Sequence, residues 1–194
     1  MRRDFDKPST RRTYVNYLSF AIYQSLDIQF QVSESQYFVV PDIYRRNPYF
    51  LGRTKLLQAL REKLCTSQSQ TYNHRVALFG LGGVGKTQVA VEYVFKYRSK
   101  YQSTFWISAA TLGDLQTGFQ EIAEKTKCVT DDQKDAAATA KAVLRWLEQQ
   151  TSWLLVLDNL DEISIVDGYL PDISSGNGHM LITTRNQDPT GIPA

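Results

Sequence analysis

Residues Gly80 to Thr87 read GLGGVGKT: a glycine, four residues, then glycine, lysine and threonine. These types at this spacing suit the wrapping of phosphate. A loop that encloses an anion needs backbone N–H groups turned inward, and Gly82, Gly83 and Gly85 permit the positive φ angles and close approach this demands. Lys86 supplies a point charge for β- and γ-phosphates, and the Thr87 hydroxyl is placed to ligate Mg²⁺. The bland alternative is a glycine-rich turn that binds nothing, and context decides against it. Val76-Ala77-Leu78-Phe79 before the loop has the length and composition of a buried strand. After it, Val89, Ala90, Tyr93, Val94 and Tyr97 recur at helical spacing. A helix beginning near Gly85 aims its N-terminal dipole and free N–H groups at the anion.

A second piece of chemistry lies downstream. Trp153-Leu154-Leu155-Val156-Leu157 is an apolar run that ends in Asp158. An aspartate at the C-terminal end of a core strand, after such a glycine loop, reads as a Walker B acid that holds Mg²⁺ opposite Thr87. Its alternative role is to cap the strand end. Asp161 and Glu162 follow and suit either the polarisation of an attacking water or plain solvation. Met180-Leu181-Ile182-Thr183-Thr184 reads as another strand, and Arg185 emerges from it on the same sheet edge, within reach of a γ-phosphate or as a surface arginine.

The elements that must position these residues alternate in type. Thr54 reads as the N-cap of a helix whose face is Leu56, Leu57, Leu60 and Leu64. Thr104 to Ser108 reads as a buried strand. Leu115, Phe119 and Ile122 predict a helix ending near Lys127. Ala136, Ala140, Val143, Leu144 and Leu147 predict another, with Asp131, Asp132 and Asp135 before it to suit its dipole. Ile163 to Gly178 reads as a long loop. Strands alternating with helices predict a parallel sheet covered on both faces. Upstream, Tyr14, Leu18, Ile22 and Leu26 have helical spacing and Asp27 to Val40 alternates as an extended segment does. Residues 1–40 are therefore an N-terminal segment, helical or partly disordered, and 41–194 the main unit.

Composition narrows the rest. A net charge of +2 gives no argument for nucleic acid or a membrane surface. No apolar run approaches the roughly 18 residues of a membrane helix. Cys65 and Cys128 have no metal spacing and read as free thiols in a reducing compartment. His74 and His179 form no cluster in sequence; each precedes an apolar run and reads as a strand-edge residue. A cytoplasmic protein is the default expectation.

Taken in order, these stretches resemble the NB-ARC domain of the STAND P-loop NTPases, with wording similar to that of fungal NLR-like proteins. Phe50-Leu51-Gly52-Arg53 is similar to the family's hhGR motif, GLGGVGKTQVAVEYV to its P-loop, TFWISA to its next strand, WLLVLDNLDE to its Walker B segment and MLITTR to its sensor-1 strand. The resemblance implies a three-layer αβα P-loop NTPase fold with core strand order 2-3-4-1, where strand 1 precedes the P-loop. It implies ATP or ADP with Mg²⁺, held by Phe50, Leu51, Gly52 and Arg53 near adenine and ribose and by Gly80, Gly82, Gly83, Val84, Gly85, Lys86, Thr87 and Gln88 at the phosphates. Thr87 and Asp158 fall on the metal positions, and Asp158, Asp161 and Arg185 on the catalytic ones.

Two departures shape the expected function. Thr54 replaces the glutamate common after hhGR, and Asn159 replaces an acid, which weakens any case for efficient hydrolysis. The chain ends just past the sensor-1 strand, so the fold is expected to be incomplete on its C-terminal side. Val76 to Phe79 should then pair with Met180 to Thr184 on one side and be an open edge on the other, unless residues 27–40 cover it. Such an edge invites marginal stability and self-association, or association with other NLR-like chains. The expected function is an adenine-nucleotide-binding switch module with at most slow ATP hydrolysis. The competing readings are a P-loop ATPase or kinase with real turnover, and an interaction-only fragment.

Overall fold

Two strands without a charged residue before their last positions form the middle of the molecule. In β4 (Trp153–Asp158) every side chain is buried, and β3 (Ser103–Ser108) is buried up to its final residue. Runs of this kind need cover on both faces, which parallel sheets receive from helices. The structure, a computed structural model, describes residues 37–65, 74–129, 135–171 and 178–186. These residues belong to one compact unit.

β1 (Tyr37–Val39), β2 (Arg75–Phe79) and β5 (Gly178–Thr184) complete a five-stranded sheet of order β1-β3-β4-β5-β2, parallel throughout. Setting β1 aside, this is the order expected from the sequence. Helices α1 (Thr54–Cys65) and α2 (Lys86–Lys96) lie on one face, where Leu57, Leu60, Leu64, Val89, Tyr93 and Val94 meet Trp106, Val156 and Leu181. Helices α3 (Leu112–Thr126) and α4 (Ala136–Gln149) lie on the other, where Leu115, Phe119, Ile122, Val143 and Leu147 meet Phe105, Leu155 and Ile182. The molecule is thus an αβα sandwich with a core on each side of the sheet.

The segment before the glycine loop differs from expectation. Tyr37–Val39 is extended, but it pairs with β3, at the sheet edge opposite β2. Aromatic contacts account for the choice. Tyr37 stacks on Phe105 and meets Trp146 edge-on, while Phe38 packs on Phe95 and lies under the Arg98 guanidinium at 4.0 Å. β2 pairs with β5 as expected, and among the described residues no strand lies on its other side. The helix expected over 14–26 and the rest of the extended segment, 27–36, lie outside the described residues, as do Asp131 and Asp132.

Smaller differences are local. Thr54 is the first helical residue of α1, and Arg53, with φ 52°, occupies the cap position. The loop after Asp158 contains a 3₁₀ turn, Ile163–Val166, whose Val166 is buried in the core. His74 and His179, expected to be unrelated, stack with ring centroids 5.4 Å apart, because the parallel pairing of β2 and β5 brings their starts side by side.

Candidate functional site

Parallel register delivers the C-terminal ends of four strands to one edge of the sheet. Phe79 pairs with Thr184, and Ser108 with Asp158. The glycine loop leaves β2 there, the acidic loop leaves β4, and Arg185 follows β5. Ligands of open α/β sheets bind outside this edge.

The loop has the expected backbone at two of its three central glycines. Gly83 and Gly85 have φ 78° and 86°, a region that side chains strongly disfavour. Gly82 has no left-handed φ, and a Cβ there would lie 3.9 Å from the Arg185 Cδ, an ordinary contact, so neither backbone angle nor crowding within the chain demands glycine at this position. The loop turns directly into α2, whose N-cap Gly85 provides no side-chain cap. α3 and α4 are closed differently. Thr111 Oγ1 accepts from the Asp114 N–H at 3.1 Å, and Asp135 Oδ2 accepts from the Ala138 N–H at 2.9 Å. The first turn of α2 has no acidic side chain either, which leaves its dipole and N–H groups to an incoming anion.

Lys86 folds back on the loop, its Nζ donating to the Gly80 and Leu81 carbonyls at 2.7 and 2.9 Å. Val84 is tied from outside by the Arg53 Nη2, which donates to its carbonyl at 2.7 Å. The Phe50-to-Arg53 segment is therefore joined to the loop. Phe50 is half-buried against the α1–α2 core, and Leu51 is 90% exposed. Gln88 lies exposed in the first turn of α2.

Asp158 gathers more partners than sequence reasoning supplied. Its Oδ1 accepts from Thr87 Oγ1 at 2.9 Å and from Thr183 Oγ1 at 2.6 Å, and its Oδ2 accepts from the Tyr44 hydroxyl at 3.3 Å. The carboxylate is buried, so these donors replace the water it gave up. Burial and the neighbouring Asp158 charge both push the Tyr44 phenol upward, so it stays a donor at neutral pH. Tyr44 is set by packing against Trp106, the rings tilted by 33° with centroids 4.4 Å apart. Nearby, Arg46 binds the buried Glu92 of α2 through Nε and Nη2 at 3.0 and 2.8 Å, anchoring the segment that carries Tyr44. Asn159, at φ 65°, turns the chain sharply after the strand, with its N–H on Thr183 Oγ1.

The Thr87–Asp158 spacing fits Mg²⁺. Ligand bonds of about 2.1 Å in an octahedron place neighbouring oxygens about 3.0 Å apart. A hydroxyl and a carboxylate oxygen separated by 2.9 Å meet that requirement with little movement.

Asp161 and Arg185 meet each other. Asp161 Oδ1 accepts the Arg185 backbone N–H at 2.7 Å, and Oδ2 accepts Nε at 2.6 Å and Nη2 at 2.5 Å. Partial burial alone would raise the Asp161 carboxyl, but the Arg185 hydrogen bonds and the charges of Arg185 and Lys86 outweigh it and hold it below the usual range.

Comparison with known proteins agrees with this geometry. The family model for the NB-ARC domain matches residues 53–194. The chain is 36% identical to a nucleotide-binding leucine-rich repeat (NLR)-like protein of Hyaloscypha variabilis (strain UAMH 11265 / GT02V1 / F), with 77% of this chain aligned. It spans 17% of that protein's length. Among solved structures, Cdc6p from Pyrobaculum aerophilum superposes with a TM-score of 0.54 over 79% of this chain and 46% of its own, at 17% identity, which is a likeness of fold alone. The glycine loop, the parallel sheet and the matched family together make this an α/β P-loop fold, and the chain belongs to the NB-ARC domain family.

Proposed function

We propose that this chain is an adenine-nucleotide-binding switch module, taking ADP or ATP with Mg²⁺ and hydrolysing ATP slowly at most. The observation that carries the reading is the meeting of Thr87 and Asp158 at 2.9 Å beside an uncapped helix start and a complete glycine loop. Gly83, Val84, Gly85 and Lys86 would hold the phosphates, and Thr87 and Asp158 the metal, which when bound offsets the charge of the phosphate oxygens. Phe50 and Arg53 support the adenine and ribose side, since Arg53 is fixed to the loop through Val84. Slow hydrolysis is in keeping with Asn159 in place of a second acid, because an amide cannot accept the proton of an attacking water. Membership of the family, and likeness to an NLR-like protein, support a role in signalling by assembly with other copies or other NLR-like chains in the cytoplasm. Among the described residues no helix is long and apolar enough to cross a membrane.

Calorimetric titration with ADP and with Mg-ATP tests the reading. The chain should bind both, and Lys86→Ala should lose about 1.5–3 kcal/mol of triphosphate affinity, the size of a charge-assisted contact. Lys86 is only half-buried and, among the described residues, its hydrogen bonds go to loop carbonyls alone, so the variant should melt near the parent temperature. Flat titrations of the parent chain, or equal affinities in the variant, would overturn the assignment.

A further inference from the structure

The Asp158 carboxylate takes two hydroxyls on one oxygen and one on the other. Thr87 and Thr183 donate to Oδ1 at 2.9 and 2.6 Å, and Tyr44 donates to Oδ2 at 3.3 Å. Donors on a single oxygen fix a point, about which the carboxylate can still swing. A contact on the second oxygen fixes its plane. Among the described residues, Oδ2 has Tyr44 as its one hydrogen-bond partner. Mg²⁺ demands near-ideal octahedral geometry, so a ligand whose plane is set by an outer partner suits it better than one that turns freely.

The segment that carries Tyr44 is otherwise turned to solvent. Residues 42–43 and 45–49 are exposed, and Tyr44 between them is half-buried. Three contacts bring it inward. Its N–H donates to the Pro41 carbonyl at 2.9 Å, its ring packs against Trp106 of β3, and Arg46, two residues on, is forked onto Glu92 of α2. These contacts would place a phenylalanine equally well. The hydroxyl adds nothing to them, and its removal from water is a cost unless the carboxylate offsets it. The same segment also meets the phosphate side, where Arg53 donates to the Val84 carbonyl at 2.7 Å. One stretch of chain thus touches both the acid and the glycine loop.

We propose that Tyr44 is a positioning residue for the metal site. Its hydroxyl sets the plane of the Asp158 carboxylate, so that Mg²⁺-dependent nucleotide binding depends on a side chain outside the glycine loop and the strand ends. This rests on the reading of Thr87 and Asp158 as the metal site.

The test is calorimetric titration of ATP, in Mg²⁺ and in chelator, into the parent chain, Tyr44→Phe, Asp158→Asn and the double variant. The readout is the ratio of the two affinities, since the uptake of Mg²⁺ by free ATP is common to every variant. Tyr44→Phe keeps the ring on Trp106, and should lower the ratio about tenfold, the size of a lost outer-shell partner. Its affinity for ATP in chelator should match the parent's, which a merely structural role would not predict. The double variant should have the ratio of Asp158→Asn alone, because Tyr44 acts through that carboxylate. Tyr44→Phe carries the test by itself should the Asp158 variants fail to fold. An unchanged ratio in Tyr44→Phe, equal weakening of ATP with and without Mg²⁺, or a further fall in the double variant would overturn the proposal while leaving the metal site standing. A parent chain whose ATP affinity gains nothing from Mg²⁺, or an undiminished gain in Asp158→Asn, overturns the metal site itself, and the role of Tyr44 with it.

Discussion

Asp158 is held by three donors from three parts of the chain, and removing it tests more than metal binding. Thr183 is buried, so Asp158→Ala leaves its hydroxyl without that acceptor and has a stability cost of about 1–3 kcal/mol. Asp158→Asn keeps the shape and an acceptor and separates the two effects. In both variants Mg²⁺ should strengthen ATP binding less than it does in the parent chain, while metal-free binding changes little. Titrations in Mg²⁺ and in chelator measure this, and an undiminished Mg²⁺ effect would remove Asp158 from the metal site. Gly80, Lys86, Thr87, Asp158 and Arg185 were legible in the sequence because each stands at a fixed offset from a strand end. Tyr44 was not, since it reaches Asp158 across 114 residues and a single tyrosine in a loop carries no spacing signal. Thr183 was half-legible. It was placed on the right strand, but nothing in an apolar run tells which hydroxyl faces the next strand's carboxylate.

Helix α3 approaches the sheet more closely than its apolar face alone would allow. Gly118 is buried in its middle, and a Cβ there would lie 2.6 Å from Ile107 Cγ2 and 3.0 Å from its Cβ. Ile107 is β-branched, central in β3 and 1% exposed, so it has no free rotamer to retreat into. Gly118→Ala gains about 1 kcal/mol of helix propensity and pays up to about 3 kcal/mol in overpacking. The net result should be a loss of about 1–2 kcal/mol, seen as a lower midpoint in denaturant unfolding; a midpoint at or above the parent's would show that the helix moves off β3 freely. The sequence showed both elements, because five-residue apolar runs and a 3.6-residue repeat are local signals. It did not show that their distance is set by one glycine, nor that β1 would choose the β3 edge. Both depend on which side chains meet across elements, which periodicity within one segment does not encode.

At the scale of the whole molecule the sheet has two ends of opposite character. The end with the glycine loop carries charge; the other end holds a partly buried polar chain drawn from α1, α2, β5 and the connection before β3. Arg61 Nη1 donates to the Tyr101 hydroxyl at 3.0 Å, Tyr93 shares a hydrogen bond with that hydroxyl at 3.0 Å, and Tyr101 bonds His179 Nδ1 at 2.8 Å. His74 stacks on His179 and bonds the Leu64 carbonyl at 2.9 Å. Burial, then the charges of His74 and Arg61, lower His179 to about 4 from its ordinary 6.5, while burial and Tyr93 keep Tyr101 a neutral phenol. The sign of the consequence follows from proton counting. Between pH 6.5 and about 4 the unfolded chain binds a proton on His179 that the folded chain refuses, so acid favours unfolding in that window. The contribution is fully present above pH 6.5 and is lost as pH falls toward 4. With partial solvent screening it amounts to about 2 kcal/mol. Carboxylates elsewhere also respond to acid, so the measurement that isolates His179 is a difference. Unfolding midpoints of the parent chain and of His179→Gln, followed from pH 7 to pH 4.5, should converge as the pH falls, because the variant has no proton to take up. Curves that stay parallel would mean that His179 titrates alike in the folded and unfolded chains, and the half-buried cluster of Arg61, Tyr101 and His179 would then be fully wet instead.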